Sequence, residues 1–136
     1  MSMYCDIETQ FKDRNSLVAA LKDTGQWELR QIEIHEIATN LYGYKGDQRK
    51  DLAHIIIRRK NVGHLSNDIG FRMGTDGKYK AIISEFDKKK YNSEWIGRLK
   101  QNYVYRLLQT RCKGFRRKVT REKLPNGHHR ISVIQE

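Results

Sequence analysis

The side chains able to do acid–base or metal chemistry in this chain are five histidines and 16 carboxylates among 136 residues, and their spacing gathers few of them. A hydrolytic metal centre needs clustered carboxylates, and general acid–base catalysis needs titratable groups within reach of one substrate. Asp6, Glu8, Asp47, Asp51, Asp68, Asp76, Glu85 and Asp87 form no recognisable metal motif. Asp68 stands just ahead of an apolar alternating run, where a carboxylate more often caps or turns the chain. Among His35, His54, His64, His128 and His129 the last two are adjacent, so on an extended strand they face opposite ways. Cys5 and Cys112 lie far apart without a CxxC pair or a histidine at zinc-finger spacing, and both read as packing thiols. Lys45-Gly46-Asp47 lacks the spacing of a phosphate-binding loop. The expectation is a non-enzymatic protein with no catalytic residues, no metal and no small-molecule cofactor.

Charge is the stronger signal. From Arg98 to Arg130 eleven Lys/Arg stand against one acid, Glu122, so that segment holds nearly all of the net +11. A field of that kind attracts polyanions and speeds their encounter. Arg98, Lys100, Arg106, Arg111, Lys113, Arg116, Arg117 and Lys118 are interleaved with Tyr105, the mixture that neutralises phosphates while a ring stacks on a base. Tyr42, Tyr44, Lys45, Arg49 and Lys50 repeat it in a second place. Tyr103, by its helical spacing, reads as core. No helix-turn-helix, RNP signature or zinc finger accompanies the charge, which favours a backbone binder over a reader of sequence.

The elements that must position these residues follow from periodicity. Met3, Cys5, Ile7, Thr9 and Phe11 alternate as a strand. Asp13 caps a helix bearing Leu17, Val18 and Leu21, and Gly25 is placed to end it in a left-handed conformation. Trp27 to Ile37 reads as a second strand, Thr39 to Lys50 as an exposed loop, and the Ile55-Ile56-Ile57 run as the middle of the sheet. Ile69, Phe71 and Met73 and then Tyr79, Ala81 and Ile83 flank Asp76-Gly77, a hairpin turn. Asn92 or Ser93 caps a long helix with Trp95, Ile96, Leu99, Tyr103, Leu107 and Leu108 on one side, ended by Gly114. A last hairpin surrounds Pro125-Asn126-Gly127. The sum is one α+β domain over residues 1–136, a single mainly antiparallel sheet of five to seven strands with two helices packed on one face. Its basic helix and hairpin begin at about residue 93. No apolar run approaches a membrane span, and Met1 to Phe11 has no signal-like apolar core.

Several segments taken together resemble a known family. They are MSMYCDIETQFKD at the start, LYGYKGDQRKDLAHIIIRR (Leu41 to Arg59), NDIGFRMGTDGKY (Asn67 to Tyr79), WIGRLKQNYVYRLL (Trp95 to Leu108) and NGHHRISV (Asn126 to Val133). Tyr42-Gly43-Tyr44 with Gly46, Asp68-Ile69-Gly70-Phe71 and the helix around Tyr103 carry most of the likeness. The chain resembles the hypothetical chloroplast reading frame thirty-five family, small proteins encoded in algal plastid genomes, cyanobacteria and some phages. That resemblance implies a fold and a compartment, the cytoplasm or plastid stroma, but no catalytic residue or cofactor. It departs from the pattern in its more basic tail and in Glu85-Phe86-Asp87-Lys88-Lys89-Lys90, where the family often carries an acidic tryptophan-containing segment.

The function expected is binding of nucleic acid, RNA or single-stranded DNA, through the C-terminal basic surface. The rival is a protein-interaction module, an accessory subunit or phage-style modulator that docks on an acidic partner protein. Exposed Tyr42, Tyr44 and Arg49 would anchor such an interface equally well.

Overall fold

The computed structural model describes residues 3–112 and 117–135, with the backbone alone at 112, 117–119 and 133–135. The chain runs β1 (Tyr4–Ile7), α1 (Arg14–Gly25), β2 (Ile32–Tyr42), β3 (Gln48–Ile57), α2 (Arg59–Val62), β4 (Ile69–Met73), β5 (Tyr79–Ser84), α3 (Ser93–Cys112), β6 (Arg117–Lys123) and β7 (His129–Gln135). Five strands form one antiparallel sheet in the order β1-β5-β4-β3-β2, and β6 and β7 pair only with each other among the described residues. The class is the α+β one expected from the pattern, with the hairpin as a separate two-stranded sheet.

Alternation decides which side of the sheet the helices cover. Ile55, Ile57, Ile69, Phe71, Tyr79, Ala81 and Ile83 point to one face and meet Leu17, Leu21, Trp95, Leu99 and Tyr103 of α1 and α3. Burial of this apolar surface is the main driving term for the fold. The starts of α1 and α3 are capped as their sequences predict: Asp13 accepts from the Ser16 amide at 2.9 Å and Asn92 from the Trp95 amide at 3.0 Å. The two helices are tied together through Tyr103, whose hydroxyl accepts from the Lys12 and Asp13 amides at 3.0 and 2.9 Å. At the other end Trp27, Tyr91 and Trp95 pack ring against ring, with Trp27 Nε1 donating to the Asn61 carbonyl at 2.8 Å.

Several expectations are corrected. The first strand stops at Ile7, although the Phe11 carbonyl still accepts from the Tyr79 amide at 2.8 Å. Trp27 precedes the second strand, which starts at Ile32 because Trp27 is drawn into the aromatic cluster and Leu29–Gln31 forms a 3-10 turn. The stretch 39–50 is no loop: it supplies the arms of the β2–β3 hairpin, and Leu41 in it is fully buried. The isoleucine run lies inside the sheet, one strand away from its middle, which is β4.

The reason for the hidden hairpin is a large bulge. Ile34 pairs with Ile55 and Thr39 with Ala53, so β2 advances five positions while β3 retreats two. The bend carries Leu41 and Ala53 across the sheet's second face, where they bury Ile56 and Ile82. Gly70 makes this possible, since a Cβ there would sit 2.5 Å from the Ala53 methyl. Where β3 bends away, His54 Nδ1 accepts from the Met73 amide at 3.1 Å in place of a backbone carbonyl.

The left-handed residue after α1 is Gln26 (φ 57°) and not Gly25, which is the last helical residue. Gly25 is required for another reason: a Cβ would lie 2.2 Å from the Trp27 ring. Gly97, inside α3, has nothing among the described residues within 4 Å of the same position. The two glycines therefore predict opposite outcomes. Gly25→Ala is expected to cost about 1–3 kcal/mol through overpacking, and Gly97→Ala to gain up to about 1 kcal/mol of helix propensity. Urea unfolding of both variants checks the pair, and equal shifts in one direction would contradict it.

Candidate functional site

The two regions singled out by composition have different fates. Around Tyr42 and Tyr44 the chain is consumed by its own contacts. Asp68, fully buried, accepts from the Tyr42 amide at 2.8 Å, the Arg59 amide at 2.6 Å and Arg58 Nη1 at 2.8 Å. Its own amide donates to the Tyr42 carbonyl at 2.9 Å, and its carbonyl accepts from the Tyr4 hydroxyl at 2.8 Å. Burial, with the Asp68 charge nearby, pushes the Tyr4 hydroxyl far above its ordinary value, so Tyr4 stays a donor. Asn67 continues the latch, with Oδ1 accepting from the Tyr44 amide at 2.9 Å and Nδ2 donating to Ser84 Oγ at 2.9 Å. Asp87, also buried, accepts from the Asn67 amide and the Ser84 hydroxyl at 2.9 and 2.8 Å.

Asp68 is thus a structural carboxylate, as its place ahead of the strand implies, and the Tyr42-Gly43-Tyr44 and Asn67-Asp68 segments exist for one another. Gly43 is buried, and the Asp47 carboxylate fills the space that a Cβ would need, 2.6 Å away. The rings carry cations of the chain itself: Arg58 over Tyr42 at 5.6 Å, Arg49 over Tyr4 at 5.0 Å and Lys45 over Tyr44 at 5.6 Å. Arg49 leaves only 15% of its side chain exposed, which withdraws it from the role of a projecting anchor. Tyr42 is partly exposed at the end of β2, and Lys45 and Lys50 are exposed.

Arg58 is the hinge of a second set of contacts that sequence reading missed. Its Nε and Nη2 meet Glu33 at 2.8 and 2.9 Å, and Glu33 also contacts His35 Nε2 at 2.8 Å. Hydrogen bonds from Arg58, helped by His35 against partial burial, hold the Glu33 carboxyl below the usual range. A buried Asp68 requires a cation, but nothing local in the sequence signals either its burial or which cation answers it.

The C-terminal region is open by comparison. Arg98, Lys100 and Arg111 project from α3 and are exposed. Arg106 does not join them: its guanidinium clamps Asp23 of α1 through bonds of 2.7 and 2.8 Å. Tyr105 lies under the Arg121 guanidinium, 4.5 Å from its centroid, and accepts from Gln109 Nε2 at 3.1 Å. Arg121 also donates to Asn102 Oδ1, fastening the hairpin to the helix. Lys113 and Arg116, with the expected helix terminator Gly114, lie outside the described residues. Arg117 and Lys118 belong to the β6 backbone, their side chains likewise outside. Among the described residues no three His, Cys, Asp or Glu side chains converge as a metal site, and no helix is long and apolar enough to cross a membrane.

The fold and the latch define the class as an α+β domain built on a five-stranded antiparallel sheet. Over residues 27–131 the chain matches the family described as "Protein of unknown function (DUF1257)", and it belongs to that family. No curated protein and no solved structure matches it.

Two predictions follow from the latch. Asp68→Asn leaves Arg58 and two amides without their charged acceptor, and the expected cost is about 3–5 kcal/mol, read from denaturant unfolding. Because the Glu33 carboxyl titrates low in the folded protein, its contribution is complete above the ordinary glutamate range and is lost as pH falls through the folded value. Glu33→Gln should therefore destabilise at neutral pH and approach the parent protein in acid; a constant difference across pH would contradict that assignment.

Proposed function

We propose that the protein is a non-enzymatic binding protein that holds single-stranded nucleic acid, RNA or DNA, on the basic face made by α3 and the β6–β7 hairpin. The observation that carries this reading is the lack of internal compensation for charge. Over residues 1–97, 16 Lys and Arg stand against 14 Asp and Glu, and several of them pair: Arg58 with Glu33 and Asp68, Arg72 with Asp6, Lys80 with Glu8 and Arg14 with Glu36. Among the described cations from Arg98 onwards, only Arg106 and Arg130 reach a carboxylate. Arg98, Lys100, Arg111 and Lys123 are left facing solvent on one helix–hairpin unit. Such a surface supports contacts to phosphates, which carry position rather than sequence. The resemblance to plastid, cyanobacterial and phage reading-frame proteins supports work in the cytoplasm or plastid stroma.

The test is binding of a labelled single-stranded oligonucleotide across a salt series. Each phosphate contact to a single strand contributes about 0.7 to the slope of log affinity on log salt. Substituting Arg98, Lys100 and Arg111 together by Gln should lower that slope by about 2 and leave the unfolding transition in place. An unchanged slope in a folded variant removes this face from the account. Weak, salt-insensitive binding of every strand by the parent protein would favour an acidic protein partner instead.

A further inference from the structure

Between the first half of α3 and the tip of the hairpin lies a cleft of about 540 Å³. Its helix wall is the stripe Glu94, Gly97, Arg98 and Gln101, and its hairpin wall is the turn around Gly127 and His128. Steps of three and four residues put those helix positions on one side of α3. The hairpin wall is preorganised: Leu124 and Gly127 close the turn through backbone bonds of 2.7 and 3.0 Å, and Asn126 Oδ1 accepts from the His128 amide at 3.0 Å. A volume of this order suits a ligand the size of one nucleotide.

Gly97 is the informative residue. Glycine inside a helix is unfavourable, and elsewhere in this fold each comparable glycine is accounted for by a neighbour, Trp27 at Gly25 or Ala53 at Gly70. At Gly97 nothing among the described residues occupies the space. That space is the floor of the cleft, where a flat ring could lie directly on the helix backbone. Glu94 adds a carboxylate to a strongly basic neighbourhood, which would be unfavourable for a plain phosphate site. A carboxylate does suit the N–H edge of a base, with Arg98 one turn away for the phosphate.

We propose that this cleft takes one unpaired nucleotide of the bound strand, its base on Gly97 with its donor edge toward Glu94, and that guanine fits it best. Guanine presents two adjacent N–H donors to one carboxylate. Adenine and cytosine offer one amino group beside an acceptor, and uracil a single imide N–H between two carbonyls. The inference rests on the nucleic-acid reading of the basic face, and it adds to that reading a base pocket.

The probe is guanosine monophosphate, with uridine monophosphate as control, titrated into the intact protein and followed by the backbone amide signals of Gly97 and Gly127. Guanosine monophosphate is expected to shift both signals and to bind about tenfold more tightly than the uridine nucleotide. Gly97→Leu, which fills an open space, should abolish the Gly127 shift while leaving the salt slope for an oligouridine strand unchanged. Glu94→Gln, a milder change, should erase the preference for guanine. Equal response to both nucleotides, unmoved Gly97 and Gly127 signals, or full binding by Gly97→Leu would each overturn the proposal. If strands bind with a steep salt slope and the cleft signals stay still, the cleft falls and the basic face stands. If guanosine monophosphate fills the cleft and no strand binds, the basic face falls and the cleft is a site for the free nucleotide, which overturns its assignment to a bound strand.

Discussion

A carboxylate with no access to water is tolerated only where charge and hydrogen bonds meet it, and much of this structure is arranged to meet Asp68. Arg58 comes from the end of β3, the Tyr42 amide from the end of β2 and the Arg59 amide from the start of α2. The Tyr4 hydroxyl of β1 closes the set on the Asp68 carbonyl. One residue thereby fixes how three segments, distant in sequence, converge beside β4. The bent β2–β3 hairpin can fold over Gly70 because its far end is held here, and Glu33 is in turn committed to keeping Arg58 in position.

This constraint separates the molecule into two poles with different electrostatics. At the latch, cations are spent on acids and rings of the same chain, so Tyr42, Arg49 and Arg58 stabilise the fold. Along α3 and the hairpin, acids are too few to do the same, and most of the described positive charge faces solvent. Arg106 marks the boundary, since it sits on the basic helix and yet serves as the clamp to Asp23 of α1. Family membership is consistent with a shared fold and does not itself assign a ligand to either pole.

What was legible in the sequence was local. Asp13, Asn92 and the Asp76-Gly77 turn act within a few residues of themselves, and the alternation through β4 and β5 reports a face that is uniformly buried. What was illegible depends on distant partners. The arms of the β2–β3 hairpin are rich in Gly, Asn, Asp and Lys, and the bulge between Ile34 and Thr39 interrupts their period, so they read as loop. Arg49 and Arg106 read as free cations because Tyr4 and Asp23 lie far from them along the chain. Gly25 reads as a left-handed cap, but its role is to make room for Trp27, and Gln26 takes the unusual backbone angle. The cleft at Gly97 combines a helix stripe with a hairpin tip, a juxtaposition that only the packing of the two elements creates.

Hydrogen exchange of the intact protein, with and without a single-stranded oligonucleotide at low salt, tests the separation of the two poles most directly. The predicted result is added protection along 98–112 and 121–130, with the 42–58 segment exchanging as it does in the free protein. Protection confined to the 42–58 segment, or none along α3 and the hairpin, would contradict it.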